Sequence, residues 1–376
     1  MMSNKLIWPQ FNPKTAKRVT SLLKSGRVNY WTGDEGRRFE GAFAAWLGVK
    51  HAVSVSNGTA ALHLALEALG IGKGDEVVCT PYSFRASATC AFNAGAKPVF
   101  ADVGRDHMLN AETIAAVLTR RTKAVVVVHL YGQVADMGPI LKLAKARGIR
   151  VIEDCAQCLG GEYRGRKVGT LGDVGCFSFC QSKHITTGGE GGMVCTNNAK
   201  IAKNVISLRD HGWVVGSVPK VFNRVGYNFR LTEIQSVIGL GELERLESWN
   251  LPRRRTLANR LIKGLRGQTL ENGGQTLGVI REWPVDTAER KASFWLVPFV
   301  IDREKLKYPV STFIEMLQAE GVGAYKIMWP LMAQKKVAKE LIHNTVGFWV
   351  HPTFTRKDMD ADLAAFAKVC RLTMRK

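Results

Sequence analysis

Short apolar runs alternate with segments of helical periodicity between about residues 53 and 196. The pattern predicts strands within residues 51–58, 76–81, 97–103, 124–132 and 151–157, and helices within 59–70, 88–95, 111–119 and 139–148. Strands that alternate with helices at this spacing indicate a mostly parallel sheet covered by helices on both faces. Two shorter strands are predicted at 173–179 and 191–196, with turn residues between them.

The second half of the chain has a different pattern. Residues 232–265 carry apolar positions at three- and four-residue steps and predict helix, with Pro252 as a kink or break. A strand at 293–301 and a helix at 311–321 follow. We therefore expect a large α/β domain with an N-terminal arm over residues 1–245 and a small α+β domain over 246–376.

Composition places the chain among ordinary globular proteins, with 46% hydrophobic and 23% charged residues. No apolar run approaches the roughly 18 to 20 residues that a membrane-spanning helix needs. The first residues, MMSNKLIWPQ, lack the features of a signal peptide. The eight cysteines are scattered among apolar neighbours, which is typical of reduced thiols. A cytoplasmic protein is expected.

The net charge of +21, from 53 Lys and Arg against 32 Asp and Glu, favours anionic partners. The basic residues are spread along the chain, and the densest clusters, Arg253-Arg254-Arg255 and Lys335-Lys336, are short. This distribution does not favour nucleic acid as the main partner. A phosphorylated small molecule fits it better.

A glycine-containing turn, residues 56–60 (SNGTA), joins the first predicted strand to the following helix. Helix N-termini present free N–H groups and the positive end of the helix dipole, which suit a phosphate. Gly58 and Thr59 are equally suited to a plain turn and cap. Asp154, at the C-terminal end of a predicted strand, lies where ligands bind in open α/β sheets. Its carboxylate is suited to pairing with a protonated ring nitrogen, or to a cap or surface position.

Lys183 ends the segment 178–183 (SFCQSK), in which an apolar strand runs into a polar turn. A lysine at a strand end can have a depressed pKa and form a Schiff base, although most loop lysines are simply solvated. The glycine-rich turn at 188–192 (GGEGG) follows closely. This combination supports a chemical role for Lys183.

Together these features resemble the fold-type-I sugar aminotransferases of the DegT/DnrJ/EryC1/StrS group. The family pattern is a Gly-Thr turn, an Asp followed three residues later by Gln or His, Ser-Phe-x-x-x-Lys, Gly-Glu-Gly-Gly and Gly-x-Asn-x-Arg. This chain contains, in that order, Gly58-Thr59, Asp154 with Gln157, Ser178-Phe179 with Lys183, Glu190-Gly191-Gly192 and Gly226-Tyr227-Asn228-Phe229-Arg230. The resemblance covers nearly the whole chain. It implies a mostly parallel mixed sheet between helices and a smaller C-terminal domain.

The resemblance implies a pyridoxal 5'-phosphate (PLP) cofactor and assigns its partners. Lys183 would bind it covalently and move a proton, while Asp154 would pair with the ring nitrogen. Gln157 would lie near the ring hydroxyl, and Phe84 would stack on the ring face. For Phe84 the alternative is ordinary core packing. Asp102, Tyr131 and Glu190 also match family positions, without assigned roles.

The phosphate, by the same resemblance, would be held by the backbone of Gly58 and Thr59 and by the hydroxyl of Ser178. Asn228 would reach it from the neighbouring subunit, since the active sites of the family lie at a homodimer interface. The alternative is that Asn228 only caps the helix that starts near Leu231. No metal is implied.

Some relatives are dehydratases in which a histidine replaces the lysine. His184 directly follows Lys183, so the register decides between the two activities. Three residues separate Ser178-Phe179 from Lys183, which favours transamination. The substrate implied is a nucleotide-linked 3- or 4-keto-deoxysugar or, alternatively, a keto cyclitol, with glutamate as the expected amino donor.

Two readings from other classes compete with an aminotransferase. Cys155, Cys158, Cys176 and Cys180 have spacing close to that of a structural zinc site. Because the last two alternate with phenylalanines as in a buried strand, core packing is the simpler explanation. The other is a basic nucleic-acid-binding protein on a retired enzyme scaffold, against which the intact Asp154 and Lys183 argue.

Overall fold

The computed structural model describes residues 8–267, 276–326 and 335–375. No helix within these ranges is long and apolar enough to span a membrane. The α-helices are α1 (Pro13–Ser25), α2 (Glu35–Leu47), α3 (Gly58–Ala68), α4 (Ala86–Asn93), α5 (Ala111–Ala115), α6 (Met137–Arg147), α7 (Ala199–Arg209), α8 (Glu233–Glu244), α9 (Leu251–Gly267), α10 (Val310–Ala319), α11 (Lys336–Asn344) and α12 (Arg356–Thr373).

The strands form three sheets. Their bounds are β1 (His51–Val55), β2 (Glu76–Cys79), β3 (Lys97–Phe100), β4 (Thr122–Val128), β5 (Arg150–Asp154), β6 (Glu162–Tyr163), β7 (Arg166–Lys167), β8 (Val174–Ser178), β9 (Gly192–Thr196), β10 (Ile280–Glu282), β11 (Arg290–Lys291), β12 (Leu296–Ile301), β13 (Ala324–Lys326) and β14 (Thr345–Trp349).

The largest sheet has the strand order β1-β9-β8-β5-β4-β2-β3. Its block β8-β5-β4-β2-β3 is parallel throughout, whereas β9 runs antiparallel to both of its neighbours. The run Ala124–Val128 of β4 is entirely buried, because helices cover both faces of the sheet. The mostly parallel mixed sheet between helices that the sequence predicts is therefore confirmed.

The topology brings several chain segments to one edge of this sheet. Strands β4, β5 and β8 are parallel, so their C-terminal ends meet at that edge. Because β9 reverses direction between β8 and β1, β1 runs the same way as β8, and α3 begins at this edge too. The segments that carry the predicted site residues Gly58, Asp154 and Ser178 thus converge.

Several predicted strands are shorter than their predicted segments, and two of them give way to loops beside the site. The strand predicted at 124–132 ends at Val128, and residues 130–132 form a 3-10 turn in which Tyr131 has φ 62°. The strand predicted at 293–301 begins only at Leu296. These loops pack closely, since a Cβ on Gly132 would lie 2.4 Å from the backbone nitrogen of Trp295.

The C-terminal part contains an antiparallel sheet of order β10-β12-β14-β13. A hydrophobic cluster drawn from residues between Leu257 and Cys370 packs around it. Pro252 is the second residue of α9, and the α-helical run is interrupted before it by Arg245 and a π-helical turn at Leu246–Asn250. A proline fits the first turn of a helix because no backbone N–H is required there.

Candidate active site

A pocket of about 760 Å³ lies at the edge of the main sheet where these segments converge. Its wall includes seven of the eight residues predicted from the sequence: Gly58, Thr59, Phe84, Asp154, Gln157, Ser178 and Lys183. Asn228 is not part of this wall. Because these residues come from four separate stretches of the chain, at 58–59, 84, 154–157 and 178–183, the fold creates the cluster.

The turn before α3 is shaped for close approach of another group. Asn57 caps the helix, its side chain accepting a 2.8 Å hydrogen bond from the backbone nitrogen of Ala60. A Cβ on Gly58 would lie 2.7 Å from the Cβ of Ser178. Any side chain at position 58 would therefore displace Ser178. The turn leaves the N-terminus of α3 open to the pocket, as anion binding requires.

Asp154 is buried at the end of β5, with 5% of its surface exposed. Burial raises the pKa of its carboxyl group, while a hydrogen bond from the Ser87 hydroxyl lowers it. Ser87 Oγ donates to Asp154 Oδ2 at 2.7 Å, and the Ala156 backbone nitrogen donates to Oδ1 at 3.1 Å. Both carboxylate oxygens are thus held in place on the pocket wall.

Lys183 lines the same pocket. Burial lowers the pKa of this amine, and Cys180, Asp154 and Glu190 act in the opposite direction. A lysine whose ammonium form is weakened in this way is a better nucleophile at neutral pH.

The neighbouring His184 does not compete for the position of Lys183. It is fully buried, and its Nε2 lies 3.4 Å from the carbonyl oxygen of Ser293, away from the pocket wall. The register that favours Lys183 over His184 therefore agrees with the structure.

Gln157 is oriented by the backbone of the turn that follows β4. Its Oε1 accepts a 3.0 Å hydrogen bond from the backbone nitrogen of Tyr131. With the carbonyl occupied, the amide NH₂ is the donor that remains for a ligand. Tyr131 itself is buried and donates to Tyr82 through its hydroxyl at 2.8 Å, so it supports the wall rather than lining it.

Phe84 has 47% of its surface exposed and lines the pocket. The alternative that it packs in the core is wrong. Glu190 also lines the pocket. Asp102 has a structural role instead, since its carboxylate accepts hydrogen bonds from the backbone nitrogens of Val337 and Ala338 at 2.9 and 3.0 Å. It anchors the start of α11 beside β3.

Asn228 lies on a segment whose backbone is hydrogen-bonded to the end of β1 and to the end of α7. The backbone of Phe229 accepts a 2.7 Å hydrogen bond from Ser56 and donates to the Arg209 carbonyl at 3.2 Å. Asn228 is exposed and is not among the residues that line this pocket. Helix α8 is capped by Thr232, so the alternative that Asn228 caps it is wrong.

Trp295 and Ser87 belong to the site but were not predicted. Trp295 lines the pocket, and its ring centroid lies 4.2 Å from Lys183 Nζ. The sequence offers a tryptophan at the start of an apolar run, which is typical of a core strand. Ser87 is an inconspicuous residue of a short helix, and no signal in the sequence links it to Asp154.

The four cysteines of the zinc hypothesis do not form a ligand cluster. In the described ranges, the one group of three or more possible ligands within 4.8 Å of one another is His129, Glu153 and Cys155. Glu153 accepts backbone hydrogen bonds from the loop at residues 169–172 and lies 3.0 Å from His129. These contacts satisfy the carboxylate without a metal.

The residues present fit PLP. A helix N-terminus behind an obligatory glycine suits the phosphate, a buried carboxylate suits a cationic ring nitrogen, and a lysine with a lowered pKa suits covalent attachment. Comparison with known proteins agrees. A model of the DegT/DnrJ/EryC1/StrS aminotransferase family matches residues 9–349. The chain belongs to this family.

Among curated relatives, GDP-perosamine synthase of Caulobacter vibrioides is 46% identical over 353 residues, covering 90% of this chain and 92% of that protein. A UDP-N-acetyl-3-dehydro-alpha-D-glucosamine 3-aminotransferase of Acidithiobacillus ferrooxidans is 45% identical, covering 61% of each chain. The crystal structure of an aminotransferase from Psychrobacter cryohalolentis superposes with a TM-score of 0.91 at 34% identity, over 98% of this chain and 99% of that one. The chain is an aminotransferase.

Proposed function

We propose that this aminotransferase uses PLP to transfer an amino group from glutamate to a nucleotide-linked 3- or 4-keto-deoxysugar in amino-sugar biosynthesis. The observation that carries the proposal is the shared pocket of Lys183, Asp154 and the N-terminus of α3. The similarity to a GDP-perosamine synthase and to a UDP-linked keto-sugar aminotransferase supports the substrate class. The net charge of +21 is compatible with a substrate that carries a diphosphate.

PLP supplies an electron sink for the carbon that gains or loses the amino group. The side chains of the chain have distinct tasks around it. Lys183 Nζ would bind the cofactor and move the proton, and the Asp154 carboxylate would keep the ring nitrogen protonated. Gln157 would donate to the ring hydroxyl, and Phe84 would cover one face of the ring.

The phosphate is assigned to the backbone N–H groups of Gly58 and Thr59 and to the Ser178 hydroxyl. We propose that Asn228 completes this site in the partner subunit of a homodimer. Asn228 is exposed and does not line the pocket of its own subunit, which supports this assignment. Large apolar side chains nearby in sequence are also exposed, among them Phe222 at 56% and Val225 at 87%, which is typical of a surface covered by a partner.

The proposal includes two further points. The division into domains 1–245 and 246–376 is supported by the separate hydrophobic cluster between Leu257 and Cys370. A cytoplasmic location is supported by the eight cysteines, none of which is paired in a disulfide.

The substrate is tested with a panel of acceptors and mass detection of the aminated product. The panel contains a GDP-linked 4-keto-deoxysugar, a UDP-linked 3-keto sugar and the cyclitol 2-deoxy-scyllo-inosose, each with glutamate or glutamine as donor. The cyclitol is included because an L-glutamine:2-deoxy-scyllo-inosose aminotransferase of Streptomyces paromomycinus is 39% identical over 72% of this chain. Amination of the cyclitol alone would contradict the proposed substrate class.

A further inference from the structure

Lys183 Nζ lies over the face of the Trp295 indole, 4.2 Å from the ring centroid. This distance is well inside the roughly 6 Å limit for a cation–π interaction, and tryptophan gives the strongest interaction of this kind. The two residues come from different parts of the fold. Lys183 follows β8, whereas Trp295 directly precedes β12.

The indole is fixed on several sides. Trp295 Nε1 donates a 2.6 Å hydrogen bond to the carbonyl oxygen of Ser182, the residue before the lysine. Its backbone nitrogen donates to the Tyr131 carbonyl at 3.0 Å. The Trp349 ring packs edge-on against the indole, with centroids 5.4 Å apart. A ring held in this way has one orientation toward the lysine.

The surroundings of Lys183 make such a partner useful. Asp154, Cys180 and Glu190 are the groups that favour its charged form, and burial opposes them. His184 is adjacent, and burial keeps the pKa of its imidazole well below the usual range, so it contributes no positive charge at neutral pH. An indole face stabilises an ammonium without adding a group that could itself take the proton.

We propose that the indole face of Trp295 is the docking position of the Lys183 side chain between covalent attachments, which it holds at the pocket wall whenever the ε-amine carries the proton that it moves. The proposal rests on the function proposed above for Lys183 and adds a positioning residue to it. It predicts that Trp295 controls how readily Lys183 takes and gives up a proton.

Competitive labelling with acetic anhydride tests this on the full chain after removal of bound cofactor with an amino donor. The pH dependence of labelling, followed by peptide mass spectrometry, yields the pKa of Lys183 in the same digest as exposed lysines such as Lys73. In Trp295→Leu the pKa of Lys183 is expected to fall by about 0.5 to 1.5 units. Trp295→Phe retains a weaker π face and should show a smaller fall.

Two controls separate this effect from a general loss of structure. Trp349→Phe alters the packing behind the indole but leaves its face, so the pKa of Lys183 should stay near the wild-type value. Uniform incorporation of 5-fluorotryptophan weakens the π face with almost no change of shape, and the pKa of Lys183 should fall. If Trp295→Leu does not fold, the fluorinated protein still tests the proposal.

An unchanged pKa of Lys183 in both the fluorinated protein and Trp295→Phe would overturn the proposal. Labelling needs no turnover, so this result is independent of the substrate. If instead no PLP binds to the wild-type chain, the proposed function fails while the labelling remains interpretable on the protein as purified.

Discussion

The Ser87 hydroxyl donates a 2.7 Å hydrogen bond to the carboxylate of Asp154 inside the pocket wall. Burial raises the pKa of Asp154, and this bond lowers it. Ser87 therefore helps to keep the carboxylate ionised, as a partner of a protonated ring nitrogen must be. Ser83 lies 2.9 Å behind Ser87, hydroxyl to hydroxyl.

Ser87→Ala should raise the pKa of Asp154 further, because the ionised form loses a donor. The acid limb of the kcat/KM profile is then expected to move to higher pH by about one unit. Ser83→Ala removes a contact to Ser87 but none of the hydrogen bonds to Asp154 described above. The acid limb of the kcat/KM profile of this variant should therefore move less. Equal profiles for Ser87→Ala and wild type would contradict this role.

The purified protein should be yellow, and borohydride should fix the cofactor to Lys183. Lys183→Ala should lose measurable turnover, since both covalent attachment and proton transfer depend on the ε-amine. Peptide mapping identifies the modified residue. An adduct on any other lysine would show that the assignment is wrong. Lys50→Ala, at an exposed position, serves as the control and should retain activity.

Asp154→Asn should keep the fold but lower kcat by about 100-fold or more, because an amide cannot balance a cationic ring nitrogen. Burial raises the pKa of Asp154 in the folded protein above its value in the unfolded chain. The folded protein therefore loses stability as the pH rises and Asp154 ionises. With the cofactor removed from both proteins, the unfolding temperature of the variant at pH 8 should therefore be no lower than that of the wild type. Activity near wild type would indicate that another acid faces the ring.

Gly58→Ala should weaken PLP binding by about tenfold or more, since the new Cβ would meet Ser178 at 2.7 Å. Fluorescence titration measures the affinity. Gly41→Ala is the matched control, because Gly41 lies within α2 with no atom within 4 Å of the added Cβ. It should bind PLP normally and stabilise the fold by roughly 0.5 to 1 kcal/mol.

Hybrid dimers test the position of Asn228. Mixing inactive Lys183→Ala subunits with Asn228→Ala subunits that bind the cofactor poorly should restore part of the activity, since one site per hybrid keeps both residues. Each variant alone, taken through the same mixing procedure, gives the baseline. If mixtures stay at that baseline, or if light scattering finds a monomer, the shared site is excluded.

Much of the pocket was predictable because its residues sit at positions that local sequence marks. Asp154 and Ser178 end strands whose apolar runs are unmistakable, and parallel strands bring such ends to one edge. Gly58 follows a strand and starts a helix. For these residues the local pattern and the order of motifs sufficed.

The remaining parts depend on contacts between distant segments. Ser87 reaches Asp154 from another element, and Trp295 reaches Lys183 because the loop before β12 packs against Gly132. Asp102 matched a family position, but its capping of α11 is visible only in three dimensions. Hydrophobic periodicity contains no information on such pairings.

The position of β1 at the edge of the main sheet has a consequence for synthesis on the ribosome. Its one neighbour in that sheet is β9, so residues 51–55 pair with residues 192–196. Synthesis proceeds at about 5 to 20 residues per second, so β1 leaves the ribosome several seconds or longer before β9. We expect the turn before α3 to take its final form only then, because the backbone of Gly192 packs directly against Asn57. Nascent chains that stop before residue 192 should therefore be unable to retain cofactor.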